Sequence, residues 1–141
     1  MAELQGKVVH FTDVPAQPFG AEAPGVAIRW VIDDSHDGAP NYALRLIEVA
    51  PDGHTPEHTH PFEHENFVLE GQGRVLIGNE WHDVGPGYVV FVPAQVRHQY
   101  VNAGAVPFKF LCGIPTPRLQ AANARLAGEQ EPGAGLGCLG G

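Results

Sequence analysis

Four histidines crowd into one short stretch, residues 51–73 (PDGHTPEHTHPFEHENFVLEGQG), which constrains the fold more than any other feature. Side chains alternate between the two faces of a strand, so His58 and His60 point to one side while the residue between them points away. Pro61 then interrupts the strand, because proline has no amide hydrogen to donate to a ladder. His64 opens the next apolar run and is able to face back toward the first pair.

Histidines at this spacing predict a metal site, since neutral imidazole is a good ligand for borderline divalent metals. A lone His-x-His pair is weak evidence, because surface histidines pair by chance. A third histidine after a strand break, and a fourth before a matching strand, make the signal stronger. We therefore predict one metal ion inside a small β-barrel, bound by His58, His60, His64 and His98. A solvated histidine-rich loop is the alternative.

The rest of the chain has the frequent turn residues that are typical of an all-β protein. Its 141 residues include 18 glycines and 13 prolines, placed between short apolar runs as in a sandwich or closed barrel. We predict about nine strands, among them 26–33, 42–50, 55–60, 64–70 and 88–92. The unbroken apolar run of 88–92 predicts a buried strand. On the last strand the sequence leaves two inward-facing sets open: Phe108, Phe110 and Cys112, or Lys109 and Leu111.

We divide the chain into an N-terminal arm (1–25), a barrel domain (26–117), and a C-terminal helix with a glycine-rich tail (118–141). Prolines in the arm argue against a helix there, and residues 7–11 are a candidate edge strand. Residues 118–127 have high helical propensity. The glycine-rich end predicts a flexible tail.

Charge and cysteine content narrow the class of protein. The chain has 8 basic and 16 acidic residues, for a formal charge of -8, so we expect neither nucleic acid nor an anionic membrane surface as a partner. The amino terminus lacks a signal-peptide core and no run is long enough to span a bilayer, which predicts a cytoplasmic protein. Cys112 and Cys138 do not make a disulfide framework. We expect Cys112 to be a buried free thiol.

Two segments in register resemble the signature motifs of the cupins. The first motif usually holds a glycine, His-x-His, a glutamate and a closing glycine; here those positions are Gly53, His58, His60, His64 and Gly71. The second usually holds a glycine, Pro-x-Gly, a histidine and an asparagine; here they are Gly87, Pro93, Gln95, His98 and Asn102. The resemblance covers about residues 42–114. It implies an all-β fold, a cupin double-stranded β-helix (jelly-roll barrel), with a short C-terminal helix and a flexible tail.

Two positions depart from the cupin pattern. Gln95 stands where glycine is expected, so that loop must turn without its help. His64 stands where glutamate is usual, so the resemblance implies the four-histidine site of some small bacterial cupins, which include manganese and iron proteins. A slip of one residue in strand register would turn Glu65 inward instead. We favour His64, and Glu63 or Glu65 would then orient a histidine from outside the ligand set.

Four neutral imidazoles would leave a divalent ion its full charge and two open positions. The resemblance implies manganese or iron, and zinc, nickel or copper also fit the ligand type. Such a site suits a metal-dependent oxidoreductase of the dioxygenase type, acting on a small oxygen-chelating substrate such as a catechol, an enediol or a β-diketone. The alternatives are a non-redox isomerase, lyase or hydrolase, and a metal- or ligand-binding module without turnover.

Two further side chains are catalytic candidates, Tyr100 and Arg45. Tyr100 lies two residues after His98 and therefore faces the same, inward side of the strand. Arg45, like Arg29, falls in the middle of an apolar strand, where a buried arginine would receive a substrate carboxylate. We favour the other interpretation, that these strands expose one face to solvent. The resemblance also implies a homodimer that pairs through sheet edges and the N-terminal arm, which would protect the edge strands.

Overall fold

Two β-sheets and a short C-terminal helix make up the computed structural model, which describes residues 5–129. Along the chain the elements are β1 (Gln17–Pro18), β2 (Val26–Ile32), α1 (Asp34–Asp37), β3 (Tyr42–Val49), β4 (His64–Glu70), β5 (Gly73–Ile77), β6 (Glu80–Val84), β7 (Val89–Val92), β8 (His98–Asn102), β9 (Phe108–Pro115) and α2 (Pro117–Glu129). The all-β prediction with one C-terminal helix is confirmed. Residues 130–141, most of the predicted tail, lie outside the described residues.

The strands form a six-stranded sheet in the order β1-β2-β3-β9-β4-β7 and a three-stranded sheet in the order β6-β5-β8. Their inward side chains make one apolar core, to which β3, β4, β8 and β9 all contribute. Strand β9 alternates strictly, burying the first of the two open sets: Phe108, Phe110 and Cys112. Gly73 lets the β4–β5 hairpin close on this core, since a Cβ atom there would lie 2.3 Å from the Phe108 ring.

The predicted strand at 55–60 does not form. Residues 54–60 pair with β8 only at two isolated bridges, His54 with Val101 and His58 with His98. Pro56 and the proline that follows the segment remove two amide donors, so a continuous ladder is not available to it. Two of the predicted metal ligands therefore lie on an irregular segment rather than on a strand.

The N-terminal arm also differs from prediction. Residues 7–11 are not a strand; a single 3-10 turn spans Phe11–Asp13, and the edge strand is β1, which pairs with β2. Lys7 Nζ donates to Val31 O at 2.8 Å and contacts Asp37 Oδ1 at 2.9 Å. The arm thus lies against the outer face of its own sheet. Together they enclose a groove of about 460 Å³, lined by Val8, Val9, Phe11, Leu44, Leu46 and Leu69 among others.

The apolar run at 88–92 predicted a buried strand, but only one face of β7 is buried. Val90 and Val92 face the core, whereas Val89 and Phe91 are 73% and 57% exposed. The reason is that β7 is an edge strand of a sheet whose outer face is left partly uncovered. Phe67 on β4 lies directly opposite Val89 and is also exposed, so an apolar strip crosses this outer face.

Helix α2 begins one residue before the predicted range, where its sequence supplies a cap. Thr116 Oγ1 accepts a hydrogen bond from the Leu119 amide at 3.1 Å, and Pro117 occupies the first helical turn, where its missing N–H costs nothing. Arg118 pairs with Asp34 of α1. Among the described helices, none is long and apolar enough to cross a membrane.

Candidate metal centre

Three of the predicted ligands, His58, His60 and His98, lie together at one end of the barrel. Each offers one nitrogen atom, and these atoms are all within 4.8 Å of one another. Two backbone hydrogen bonds join His58 to His98, at 3.1 and 3.0 Å, and so anchor the irregular segment to β8. His58 and His60 are half-buried on the same side while Thr59 is exposed, as the alternation in His-x-His predicted.

The fourth predicted ligand, His64, adjoins this group through His60. The two Nε2 atoms are 2.8 Å apart, and His64 is 5% exposed on the inner face of β4. Glu65 lies on the outer face of the same strand, so the one-residue register slip does not occur. Within the described chain, neither Glu63 nor Glu65 hydrogen-bonds to a histidine of the cluster.

Backbone carbonyls fix the ring orientation of two histidines. His60 Nδ1 lies 2.8 Å from Phe62 O, and His98 Nδ1 lies 2.8 Å from Val96 O. A carbonyl oxygen only accepts, so both Nδ1 atoms carry the proton and both Nε2 atoms present a lone pair. The Nε2 atom of His98 is buried and has no hydrogen-bond partner. Orienting bonds of this kind are typical of histidines that bind a metal through the other nitrogen.

The surroundings keep the cluster uncharged. Burial lowers the pKa of His58, His60 and His98 below the ordinary value. For His64, burial and then the charge of Arg45 lower the pKa to about 2. All four imidazoles are therefore neutral near pH 7, which is the form that binds a metal. Neutral nitrogen donors around a buried, unpartnered Nε2 fit a borderline divalent cation.

Arg45 is buried, so the favoured prediction of a solvent-facing side chain is wrong for this residue. It is 8% exposed and faces the core together with Ala43 and Ile47 of β3. In the register of β3 with β9, Arg45 lies opposite Cys112. Its Nη2 atom donates to Cys112 Sγ at 2.9 Å, and this sulfur lies 3.1 Å from His64 Nδ1.

Arg29 behaves differently from Arg45 although both lie in apolar strands. Its guanidinium bonds to the backbone oxygens of Phe11 and Val14 in the arm, and the side chain is only half-buried. Arg29 therefore fastens the arm to the outer face of the sheet and does not reach the candidate site.

Tyr100 faces inward as predicted and is 4% exposed. Its hydroxyl donates to Asn66 Oδ1, and its ring stacks on Phe110 with centroids 4.6 Å apart. Burial raises the pKa of Tyr100 well above its ordinary value, so the hydroxyl keeps its proton. This donor is already used by Asn66, beside the histidine cluster rather than within it.

Two aromatic residues that the sequence did not indicate lie against side chains of the site. Phe62 stacks on His60 with ring centroids 3.9 Å apart and an interplanar angle of 8°. Trp30 lies 5.4 Å from the guanidinium carbon of Arg45. Phe62 could have been selected from the sequence, because it closely follows the His-x-His pair. Trp30 was not, because its position depends on the register of β2 with β3.

Gln95 performs the turn for which cupins usually use glycine. Its φ angle is +67°, in the left-handed region, and its amide donates to His60 O at 2.8 Å. The loop before His98 thus holds the backbone of a second histidine of the cluster. His54, also in the histidine-rich stretch, is half-buried beside β8 and does not belong to the group of three.

Comparisons with known proteins agree with this architecture. Residues 45–114 match the family model described as the cupin domain. The chain is 36% identical to the polyketide cyclase RemF from Streptomyces resistomycificus, whose structure superposes with a TM-score of 0.72 over 79% of this chain and 80% of that chain. It is 31% identical to the tetracenomycin polyketide synthase protein TcmJ of Streptomyces glaucescens, over 67% of each chain. It is 26% identical to the protein SchB of Streptomyces halstedii, over 94% of this chain and 96% of SchB.

Proposed function

Because this chain belongs to the cupin family, we propose that its histidine cluster binds one divalent metal ion and that the protein catalyses a non-redox ring closure on a poly-β-ketone. The observation that carries this proposal is the similarity to a polyketide cyclase along most of both chains. A β-diketone is one of the oxygen-chelating substrates expected from the sequence, and a poly-β-ketone contains this group.

We assign the ion to His58, His60, His98 and His64. The support is the neutral state of the rings, the carbonyls of Phe62 and Val96 that orient two of them, and the unpartnered Nε2 atom of His98. Manganese or iron, implied by the resemblance, is the first expectation. The proposed reaction requires no change of oxidation state, so zinc, nickel or copper would also serve.

A bound divalent ion would polarise the two oxygens of a β-diketone and acidify the C–H bond between them. The chain's own residues supply the surroundings for that chemistry. The buried side chains Val92 and Phe110 keep water from the inner wall, which strengthens electrostatic interactions inside. We assign Tyr100 a positioning role, because its hydroxyl donates to Asn66 and its ring packs beside His98 and His64.

A dioxygenase-type oxidoreductase is the competing function. The observation that favours it is a cluster composed of histidines without a carboxylate, since neutral ligands leave the ion's charge available to both a chelating substrate and O₂. The same cluster suits enolate chemistry. The two functions differ in whether O₂ is consumed, and that difference can be measured directly.

The test begins with elemental analysis of untagged protein, followed by reconstitution with manganese, iron or zinc. The loaded protein is then mixed with ethyl 2-methylacetoacetate in D₂O. The exchange of the C2 hydrogen is followed by NMR while an electrode records O₂. Metal-dependent exchange at constant O₂ is the expected result. The matched controls are H60A, which removes a cluster histidine, and H82A, which removes an exposed one on β6.

Each other outcome has a definite meaning. Consumption of O₂ with oxidation of the probe would favour the oxygenase over the cyclase. Loaded protein that accelerates neither process would reject both, and leave a metal- or ligand-binding module. Full metal content in H60A would remove His60 from the ligand set.

We further propose that the protein is a homodimer that acts on a small molecule in the cytoplasm. The support for the dimer is the apolar strip on the outer face of the six-stranded sheet, where Phe67, Val89 and Phe91 are exposed. A second copy of the same face would cover this strip and protect the β7 edge from other strands. The described arm packs on its own sheet, so the strip rather than a crossing arm is the surface we assign to the partner.

A further inference from the structure

Arg45 carries a positive charge into the barrel interior without a counter-charge. It is 8% exposed, and within residues 5–129 it forms no ion pair with an aspartate or glutamate. Arginine keeps its proton at any ordinary pH. Buried charges are normally paired, because an isolated ion loses its hydration on burial.

The hydrogen bonds of Arg45 are also incomplete. Of the five N–H donors on a guanidinium, one from Nη2 is donated to Cys112 Sγ, and sulfur is a weak acceptor. The Nε atom is buried and has no partner. The Trp30 ring, 5.4 Å from the guanidinium carbon, offers a cation–π contact but no hydrogen-bond acceptor along the guanidinium edge.

This unsatisfied cation belongs to the same interior as the histidine cluster. Cys112 Sγ, to which Arg45 donates, is itself 3.1 Å from His64 Nδ1. Arg45 and His64 thus contact the same sulfur atom, and the Nε2 atom of His64 lies 2.8 Å from that of His60. A ligand held at the histidines would therefore lie near the guanidinium of Arg45.

We propose that Arg45 binds a carboxylate group of the ligand, so that the substrate of this site is a carboxylic acid as well as an oxygen chelator. The planar fork of a guanidinium matches the two oxygens of a carboxylate. This inference deepens the proposed function by naming a second functional group on its substrate. The binding of a carboxylate by Arg45 does not depend on the proposed function, whereas the reaction of the bound molecule does.

The rival role for Arg45 is to act through Cys112 on the orientation of His64. The two roles predict different effects of changing Cys112. If Arg45 only positions His64, then C112A breaks the same chain of contacts and should reproduce the effect of R45M. If Arg45 binds the ligand itself, C112A should leave carboxylate binding nearly intact.

The experiment measures binding of benzoate and of its neutral isostere benzamide to the full chain by calorimetry. Wild type, R45M, R45K and C112A are each titrated after treatment with EDTA and again after loading with zinc. We expect wild type to bind benzoate at least about tenfold more tightly than benzamide even without metal, since charged hydrogen bonds are the strong ones. R45M should lose this preference, R45K should keep part of it, and C112A should keep nearly all of it.

Thermal unfolding supplies a readout independent of any ligand. Because Arg45 is an unpaired buried charge, R45M should unfold at the same temperature as wild type or higher. The comparison of the two ligands on wild type needs no variant to fold. Equal affinity of metal-free wild type for benzoate and benzamide would overturn the proposal. So would benzoate affinity that is unchanged in R45M, or reduced equally in C112A.

The same titrations separate this inference from the proposed function. A benzoate preference that depends on Arg45 would stand even if the loaded protein failed to exchange the C2 hydrogen of the β-keto ester. Hydrogen exchange without that preference would keep the cyclase proposal and reject the carboxylate.

Discussion

The Nε2 atoms of His60 and His64 lie 2.8 Å apart, although His60 donates its only proton through Nδ1 to the Phe62 carbonyl. The His60 Nε2 atom therefore presents a lone pair to His64. Without metal, His64 fills this contact by donating its own proton. With metal, both lone pairs would face the ion. The relationship makes His64 the residue that separates a three-histidine site from a four-histidine site.

We expect H64Q to weaken metal binding by more than about 100-fold, the upper end of the loss when only an orienting partner is removed. A competition titration of zinc against a chelator measures this. H82Q, on an exposed histidine of β6, is the matched control and should bind as wild type does. Wild-type affinity in H64Q would establish a three-histidine site.

The metal-free protein should lose stability as the pH falls below the ordinary histidine pKa of 6.5. The buried histidines have lowered pKa values when folded, so below this pH the unfolded chain binds more protons than the native state. For His64, with a folded pKa of about 2, the loss should continue through the whole acid range. Each such group contributes up to about 1.4 kcal/mol per pH unit.

Urea unfolding of EDTA-treated protein at pH 7.5, 6.5 and 5.5 measures this dependence. H64Q should flatten it, whereas H82Q should not. A stability that rises on acidification over this range would mean that the cluster is charged in the native state, contrary to its burial.

Y100F should destabilise the fold by about 1–3 kcal/mol, because Asn66 Oδ1 would lose its donor inside the core. Urea unfolding measures the change. Y42F is the matched control, since Tyr42 is 69% exposed and should tolerate the loss of its hydroxyl. In a double-mutant cycle with N66A, the Y100F penalty should shrink. Equal stability of Y100F and Y42F would show that the Tyr100–Asn66 bond contributes nothing.

Q95G should stabilise the protein by about 1 kcal/mol, because glycine adopts the left-handed region without the steric cost that Gln95 bears. The gain is partly offset by the greater freedom of glycine in the unfolded chain. D52G is the informative comparison, since Asp52 has a φ angle of +68° but aspartate tolerates this region better. A loss of stability in Q95G would mean that the Gln95 side chain makes a favourable contact that outweighs its backbone strain.

Replacing Val89 with lysine should convert the proposed dimer to a monomer, because the charge would be placed at the centre of the apolar strip. Light scattering coupled to gel filtration measures the mass. W81K is the matched control, since Trp81 is 41% exposed but lies on the three-stranded sheet. A dimer that survives V89K would place the interface elsewhere, and a wild-type monomer would reject the proposed dimer.

The inward sides of β4 and β8 followed from the sequence once His64 and His98 were assigned to one metal site. Every second residue of a strand faces the same side, so these two histidines also place Asn66 and Tyr100 inward. Arg45 could not be placed this way, because both faces of its strand carry apolar residues. Ala43 and Ile47 lie on one face, and Leu44 and Leu46 lie on the other. Leu46 points outward and is nonetheless buried, at 3% exposure, since the arm and the outer face meet over it.

Contacts between strands could not be predicted from the sequence. The bond between Arg45 and Cys112 joins residues 67 positions apart and depends on the register of β3 with β9. Trp30 reaches Arg45 through a second register. The absence of a strand at 55–60 could have been predicted from the sequence, because Pro56 and Pro61 weigh against a continuous ladder.

The histidines of the cluster lie on parts of the chain that differ in how many backbone hydrogen bonds hold them. His64 lies on β4, which is hydrogen-bonded to β7 on one side and β9 on the other. His58 and His60 lie on an irregular segment that is held by isolated bridges to β8 and by the bond from the Gln95 amide to His60 O. Amide hydrogens of 55–60 should therefore exchange with solvent faster than those of β4. Local opening of this segment would release two ligands while the barrel stays folded, so the rate of that opening, rather than of global unfolding, would set how quickly a bound ion is replaced.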